Sequence, residues 1–254
     1  MWFPSWLFMR TANGHSHIWK YLSSVFLSTS LLVRGVLASP QSNPVIKVQM
    51  YNLASVDPQV LTDAENRATR IFRATGIDVL WFNCPLSESE AKANPICIAP
   101  CPRSRFAVRI SSEMPAKLAT GTLGVALHET EIYVTIYYPN IEEMSRVGIA
   151  PPAQILGHAV VHELGHLLLG PIPHASVGIM RGGWTKEDLH AMTRGALLFT
   201  PRQTAVIRQA ALLRTEAEAS VGYSAVRRRR PDQPPECPLG DSACKRSGRR
   251  RGQN

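Results

Sequence analysis

The stretch "VVHELGHLLLGPIPHASVGIM", Val160 to Met180, gathers three histidines, one glutamate and one methionine into a single short run. On an α-helix, residues four apart differ in direction by about 40°, so His162 and His166 leave one face a turn apart and can meet a single ion. Glu163 is turned by about 100° from His162 and stands beside such an ion without ligating it. Ala159, Val160, Leu164, Leu167 and Leu168 supply the apolar surface that buries the rest of the helix. Left without a ligand, a buried His-Glu-His cluster would need partners for several polar groups at once. The fold must therefore hold a long buried helix and bring further polar groups to it.

This is the logic of H-E-x-x-H. Zinc brings the pKa of a bound water toward ~7, and the carboxylate takes its proton as the water attacks a polarised carbonyl. His158 lies one turn before His162, but about 12 Å of helix separates it from His166, too far for both to ligate one ion. It is expected in the core or behind the ligands. A third ligand must come from after the helix. Gly170 can reverse the chain and Pro171 and Pro173 stop the helix, which swings His174 back toward the pair. Glu187 or Asp188, as a more distant carboxylate ligand, remains the alternative.

Along the chain, "VIKVQMYNL" (45–53) alternates as a strand. A helix follows, with Asp57 as N-cap, Pro58 in its first turn, Val60, Leu61, Ala64, Ala68, Ile71 and Phe72 as its apolar stripe, and Gly76 after its end. The strand "IDVLWF" completes a βαβ unit, for which parallel pairing is expected. Beyond a cysteine- and proline-containing loop (84–104) come the strands "RFAVRIS", "TLGVALH" (122–128) and "EIYVTIYY" (131–138), the last two spaced as a hairpin. A polar connection with Pro151 and Pro152 leads to the helix at 153–169. A last helix is expected from Pro201, capped by Thr200, to about Glu218. Trp184 and the "LLF" run at 197–199 are assigned to packing of the C-terminal part, and His128 to the surface.

The formal charge of +9 sits at the ends. Residues 1–38 carry Arg10, Lys20 and Arg34 with no acid, and 226–254 carry nine Lys/Arg against three acids, so the stretch between them is neutral. A neutral body argues against specific nucleic-acid binding. The N-terminus reads as a secretory signal, residues 1–38, with the run "YLSSVFLSTSLLV" and small residues suited to cleavage after Ala38. That run is too short to span a bilayer, and an uncleaved interfacial anchor is the alternative. Residues 226–254 are expected to be a disordered basic tail. Five cysteines fit an exported protein. One disulfide is expected among Cys84, Cys97 and Cys101, with one thiol left over, and Cys237 and Cys244 could close a loop in the tail.

"HELGHLLLGPIPHASVGIM" resembles the zinc signature of the metzincin clan of metalloendopeptidases, H-E-x-x-H-x-x-G-x-x-H followed by a methionine-containing turn. It is also similar to small secreted bacterial proteins with an "HELGHLLLG…H…GIM…W" pattern. The likeness covers about 45–218 and implies an α+β, zincin-like, metzincin-type domain within 39–225. Such a domain has a mixed five-stranded sheet, an active-site helix and a C-terminal helix. It implies Zn2+ held by His162, His166 and His174, Glu163 as general base, Met180 beneath the metal, and "TLGVALH" as the edge strand on which a peptide substrate pairs. One departure is plain: three residues, not two, stand on each side of Gly170. The function so implied is that of an exported, monomeric zinc metalloendopeptidase, secreted or periplasmic and acting on peptide or protein substrates. The alternative is a non-catalytic zinc-containing binding protein whose basic tail contacts polyanions.

Overall fold

The structure, a computed structural model, describes residues 42–98, 101–171 and 173–228. The expected leader (1–38), most of the expected tail, and Cys237 and Cys244 lie outside the described residues.

The chain runs β1 (Val45–Asn52), α1 (Pro58–Arg73), β2 (Asp78–Cys84), α2 (Glu88–Ala91), α3 (Pro95–Ile98), β3 (Arg105–Ser111), β4 (Gly124–Leu127) and β5 (Tyr133–Tyr137). It continues through α4 (Tyr138–Ser145), α5 (Pro152–Leu169), α6 (Lys186–Thr193) and α7 (Pro201–Arg228). The strands form one sheet in the order β2-β1-β3-β5-β4. β1 pairs in parallel with β2 and β3, β3 pairs in parallel with β5, and β4 pairs antiparallel with β5. This is the α+β architecture with a mixed five-stranded sheet that the resemblance implies.

Local signals account for most of the elements. The Asp57 carboxylate accepts from the backbone N–H groups of Gln59 (2.8 Å) and Val60 (3.2 Å), and Pro58 fills the first turn, so α1 starts where its cap dictates. Leu61, Ala64, Ala68, Ile71 and Phe72 are its buried side. Thr200 and Gln203 satisfy each other's backbone N–H groups at the start of α7. That helix continues ten residues past the expected end at Glu218, to Arg228, entering the segment expected to be disordered. The expected polar connection after β5 contains α4, because Ile141 is fully buried and Pro139 suits a first turn.

α5 is the helix around which the rest is packed, touching α1, α4, α6, α7, β4 and β5. Its residues from Ile155 to Gly165 are all buried. Phe72 of α1 meets Phe199 with ring centroids 6.1 Å apart, and Leu197 and Phe199 are buried, as expected for the "LLF" run. Cys84 at the end of β2 is bonded to Cys97 in α3, and Cys101 is the thiol left over. The bridge closes the loop after β2 back onto the sheet, where Tyr51 donates to the Cys97 carbonyl at 3.5 Å. Among the described residues no helix is long and apolar enough to cross a membrane.

His158 shows what burial in α5 entails. It is fully buried, and its Nδ1 donates to the Gln154 carbonyl at 2.8 Å. Desolvation pushes its pKa down to about 4, against the smaller upward pull of that hydrogen bond. Between the unfolded value of 6.5 and about 4, the unfolded chain binds a proton that the folded chain refuses. The stabilisation is complete above pH 6.5 and is lost as pH falls toward 4, on the order of 3 kcal/mol in all. Denaturant midpoints measured from pH 7 to pH 4 with a chelator present should fall more steeply for the natural protein than for His158→Leu. Equal slopes would show that the imidazole is already charged in the fold.

Candidate metal centre

Three elements build the site. α5 contributes the buried His162 and Glu163 and, from its last turn, the half-buried His166. The helix stops at Gly170, whose φ of 79° and ψ of −168° belong to a region open only to glycine. Pro171 and Pro173 carry the chain outward, and the following turn is closed by the Ala175 N–H donating to the Met180 carbonyl at 2.8 Å. This returns the exposed His174 to the helix.

The three imidazoles converge. His166 Nε2 lies 3.1 Å from His162 Nε2 and 3.2 Å from His174 Nε2, and the ligand atoms of all three lie within 4.8 Å of one another. Two nitrogens bound tetrahedrally to one zinc at ~2.05 Å stand ~3.3 Å apart, so the donor set fits that ion. His162 Nδ1 is 2.7 Å from the Ile179 carbonyl, which can only accept, so the proton sits on Nδ1 and the Nε2 lone pair faces the centre. Burial pushes the pKa of both His162 and His166 down to about 4, and neighbouring imidazoles add to the effect. Both are therefore neutral near pH 7, the form a metal needs.

Glu163 is 7% exposed and its side chain packs against β4. Burial raises its pKa to about 8, opposed by the Ala126 backbone N–H that it accepts from. β4 makes room for it: a Cβ on Gly124 would stand 2.7 Å from Glu163 Cγ. The pairing of β4 leaves an open edge. Tyr137 N–H donates to the Leu123 carbonyl at 2.8 Å, so alternate residues Val125 and Leu127 also face β5, and Gly124 and Ala126 turn their backbone groups outward.

Beneath the helix, Met180 is 2% exposed, with its sulfur 2.6 Å from where a Cβ on Gly165 would stand. Glu187 is exposed in the first turn of α6, where its own backbone N–H and the Thr185 hydroxyl hold its carboxyl below the ordinary value. Asp188 caps the same helix. Neither joins the histidines. Three residues sit closer to the site than the sequence suggests. Trp184, expected in C-terminal packing, faces His162 edge-on at 5.8 Å between centroids and donates from Nε1 to the Ile179 carbonyl at 3.2 Å. His128 is exposed as expected, yet its ring lies 6.0 Å from that of His166. Arg181 lines the cleft of ≈ 390 Å³ that opens beside His162, Glu163 and His174. A "GIM…W" spacing hinted at Trp184, whereas nothing local marked Arg181 or His128.

No family model matches this sequence, and no curated protein matches it. Two solved structures are similar in outline. Archaemetzincin from Methanopyrus kandleri is 14% identical, with 68% of this chain and 98% of that one covered and a TM-score of 0.42. A zinc-dependent peptidase from Methanocorpusculum labreanum is 12% identical, with 63% and 99% covered and a TM-score of 0.43. Likeness this distant carries no argument about the chemistry of the present chain.

The geometry separates the two candidates for a third ligand. His174→Ala should weaken zinc binding by at least a hundredfold, while Glu187→Ala should leave it within about twofold, both read by competition with a chromogenic chelator. The reverse order would place the third ligand on α6.

Proposed function

We propose that the protein is an exported zinc-dependent metalloendopeptidase that hydrolyses peptide bonds with Glu163 as general base. The observation that carries this reading is the convergence of the three imidazoles beside a buried carboxylate at an open strand edge. Among the described residues the cluster has three ligands and no fourth. That is the count of a catalytic zinc site, whereas structural sites are closed by four.

Zinc bound there would act as a Lewis acid toward a carbonyl, make water a better nucleophile near neutral pH, and favour the ionised form of a nearby carboxylate. The chain's own residues do the rest. His162, with its proton committed to Ile179, is fixed in the ligating tautomer. The Gly124 backbone groups and the Ala126 carbonyl, the Ala126 N–H being engaged by Glu163, meet an extended peptide as an added strand, which lays its scissile carbonyl along α5. Glu163, rotated away from the ligand face, takes the proton from the attacking water and passes it to the departing nitrogen. Desolvation raises its pKa, and a cation bound beside it would draw it back toward the ionised form that accepts the proton. Export is supported by the N-terminal sequence and by the Cys84–Cys97 disulfide.

The deciding experiment joins metal analysis to proteolysis of a mixed peptide library. The protein should hold about one zinc per chain and cleave internal peptide bonds, and a chelator should abolish cleavage until zinc is restored. Glu163→Gln should keep the zinc and lose hydrolysis by roughly a thousandfold or more. Zinc lost with that change, or cleavage surviving it, would remove Glu163 from its role.

A further inference from the structure

The cleft beside the imidazoles contains a cation that the hydrolytic steps do not use. Arg181 follows Met180 directly, and its backbone is tied into the same turn that orients His162: its N–H donates to the Gly178 carbonyl at 3.1 Å, and it bridges Ala175. The base of the Arg181 side chain is therefore fixed beside the imidazole cluster, and its guanidinium lines the same cleft. Its Nη1 reaches Asp188 Oδ2 at 3.3 Å, and the side chain is 38% exposed. That oxygen is already engaged by shorter bonds, from Thr185 N–H at 2.9 Å and the Thr185 hydroxyl at 3.1 Å, which cap α6. Asp188 thus braces Arg181 through one donor of five and leaves the forked face of the guanidinium for a ligand.

The rest of the cleft fits one kind of occupant. Leu123, Met144, Ala159 and Trp184 give apolar walls, and a volume of ≈ 390 Å³ falls within the ~300–1,000 Å³ range of small-ligand sites. Among the described residues the only acidic one lining it is Glu163, already bound to the Ala126 N–H. A basic substrate side chain would meet Arg181 as a like charge, and a purely apolar one would leave the guanidinium with Asp188 as its sole ion-pair partner among the described residues.

We propose that this cleft selects peptides by a carboxylate, gripped by Arg181 while Trp184 and Met144 cover the carbon chain behind it. The carboxylate is either an Asp or Glu side chain next to the cleaved bond or the peptide's own C-terminus. The inference rests on the peptidase reading for the nature of the ligand, and binding tests it separately from cleavage. Zinc-loaded, full-length Glu163→Gln protein is titrated calorimetrically with hexapeptides of Ala and Phe. These carry a single Glu or Gln at each position in turn, each made as the free acid and as the amide. Glu should bind about ten- to a hundredfold tighter than Gln at one position if the side chain is the ligand; acid should exceed amide by as much if the terminus is. Arg181→Gln should bring the preferred ratio close to one, and Arg181→Lys, which keeps the charge but loses the fork, should retain part of it. The same ratio should appear in kcat/KM of the natural protein with these peptides.

Equal binding of all four peptide forms, a preference that survives Arg181→Gln in zinc-loaded protein, or no binding at all would overturn the carboxylate site. Peptides that bind with the Arg181-dependent preference but are never cleaved by the natural zinc-loaded protein would uphold the site and overturn the peptidase reading. Cleavage without acid preference would do the opposite.

Discussion

The backbone carbonyl of Ile179 accepts from two rings, His162 Nδ1 at 2.7 Å and Trp184 Nε1 at 3.2 Å. One carbonyl has two lone pairs, and both are used here by side chains from opposite sides of the site. The first bond fixes which nitrogen of His162 is free, and hence whether the helix can offer a ligand at all. The second bond holds the indole against the cleft. Because Ile179 itself donates to the Leu198 carbonyl at 3.0 Å, the turn that carries Met180 and Arg181 is pinned from below by the segment leading into α7. Each of these bonds contributes only about 1 kcal/mol of net stability, but together they set the position of four functional side chains.

A second constraint comes from placing polar groups in the most buried helix of the molecule. Desolvation dominates the shift of His158, His162, His166 and Glu163 alike, and in each case it favours the uncharged form. For the histidines that form is the ligating one. For Glu163 the same penalty raises the pKa, and a bound cation would oppose it. Burial that costs stability toward acid pH for the histidines, and toward alkaline pH for Glu163, thus prepares the site for the chemistry proposed for it.

The sheet contributes through its edge. Four strands run parallel, and the antiparallel β4 lies outermost against α5. Its placement gives Glu163 a backbone donor, leaves room at Gly124 for the glutamate's methylene, and turns two residues' peptide groups away from β5. A short strand with one residue lacking a side chain would be a weak element in the middle of a sheet. At the edge, beside a helix, the same features leave backbone groups open to a partner strand.

By itself the sequence determined what depends on residues close together in the chain. The four-residue spacing of His162 and His166, the rotation of Glu163, the stop and reversal at Gly170 and the prolines, the cap at Asp57 and the alternation of the strands are all local, and helix geometry or turn stereochemistry converts each into a position. Even the third histidine could be proposed, though spacing did not exclude Glu187, because a flexible turn sets no unique direction. Tertiary structure decided what depends on distant segments: that β4 is the edge strand, that Cys97 rather than Cys101 meets Cys84, that Trp184 and Arg181 face the cleft, and that His128 comes within 6.0 Å of the His166 ring. Short amphipathic pieces such as α4 and α6 were also beyond the sequence pattern, since eight residues are too few to form a helix unless packing against α5 stabilises them.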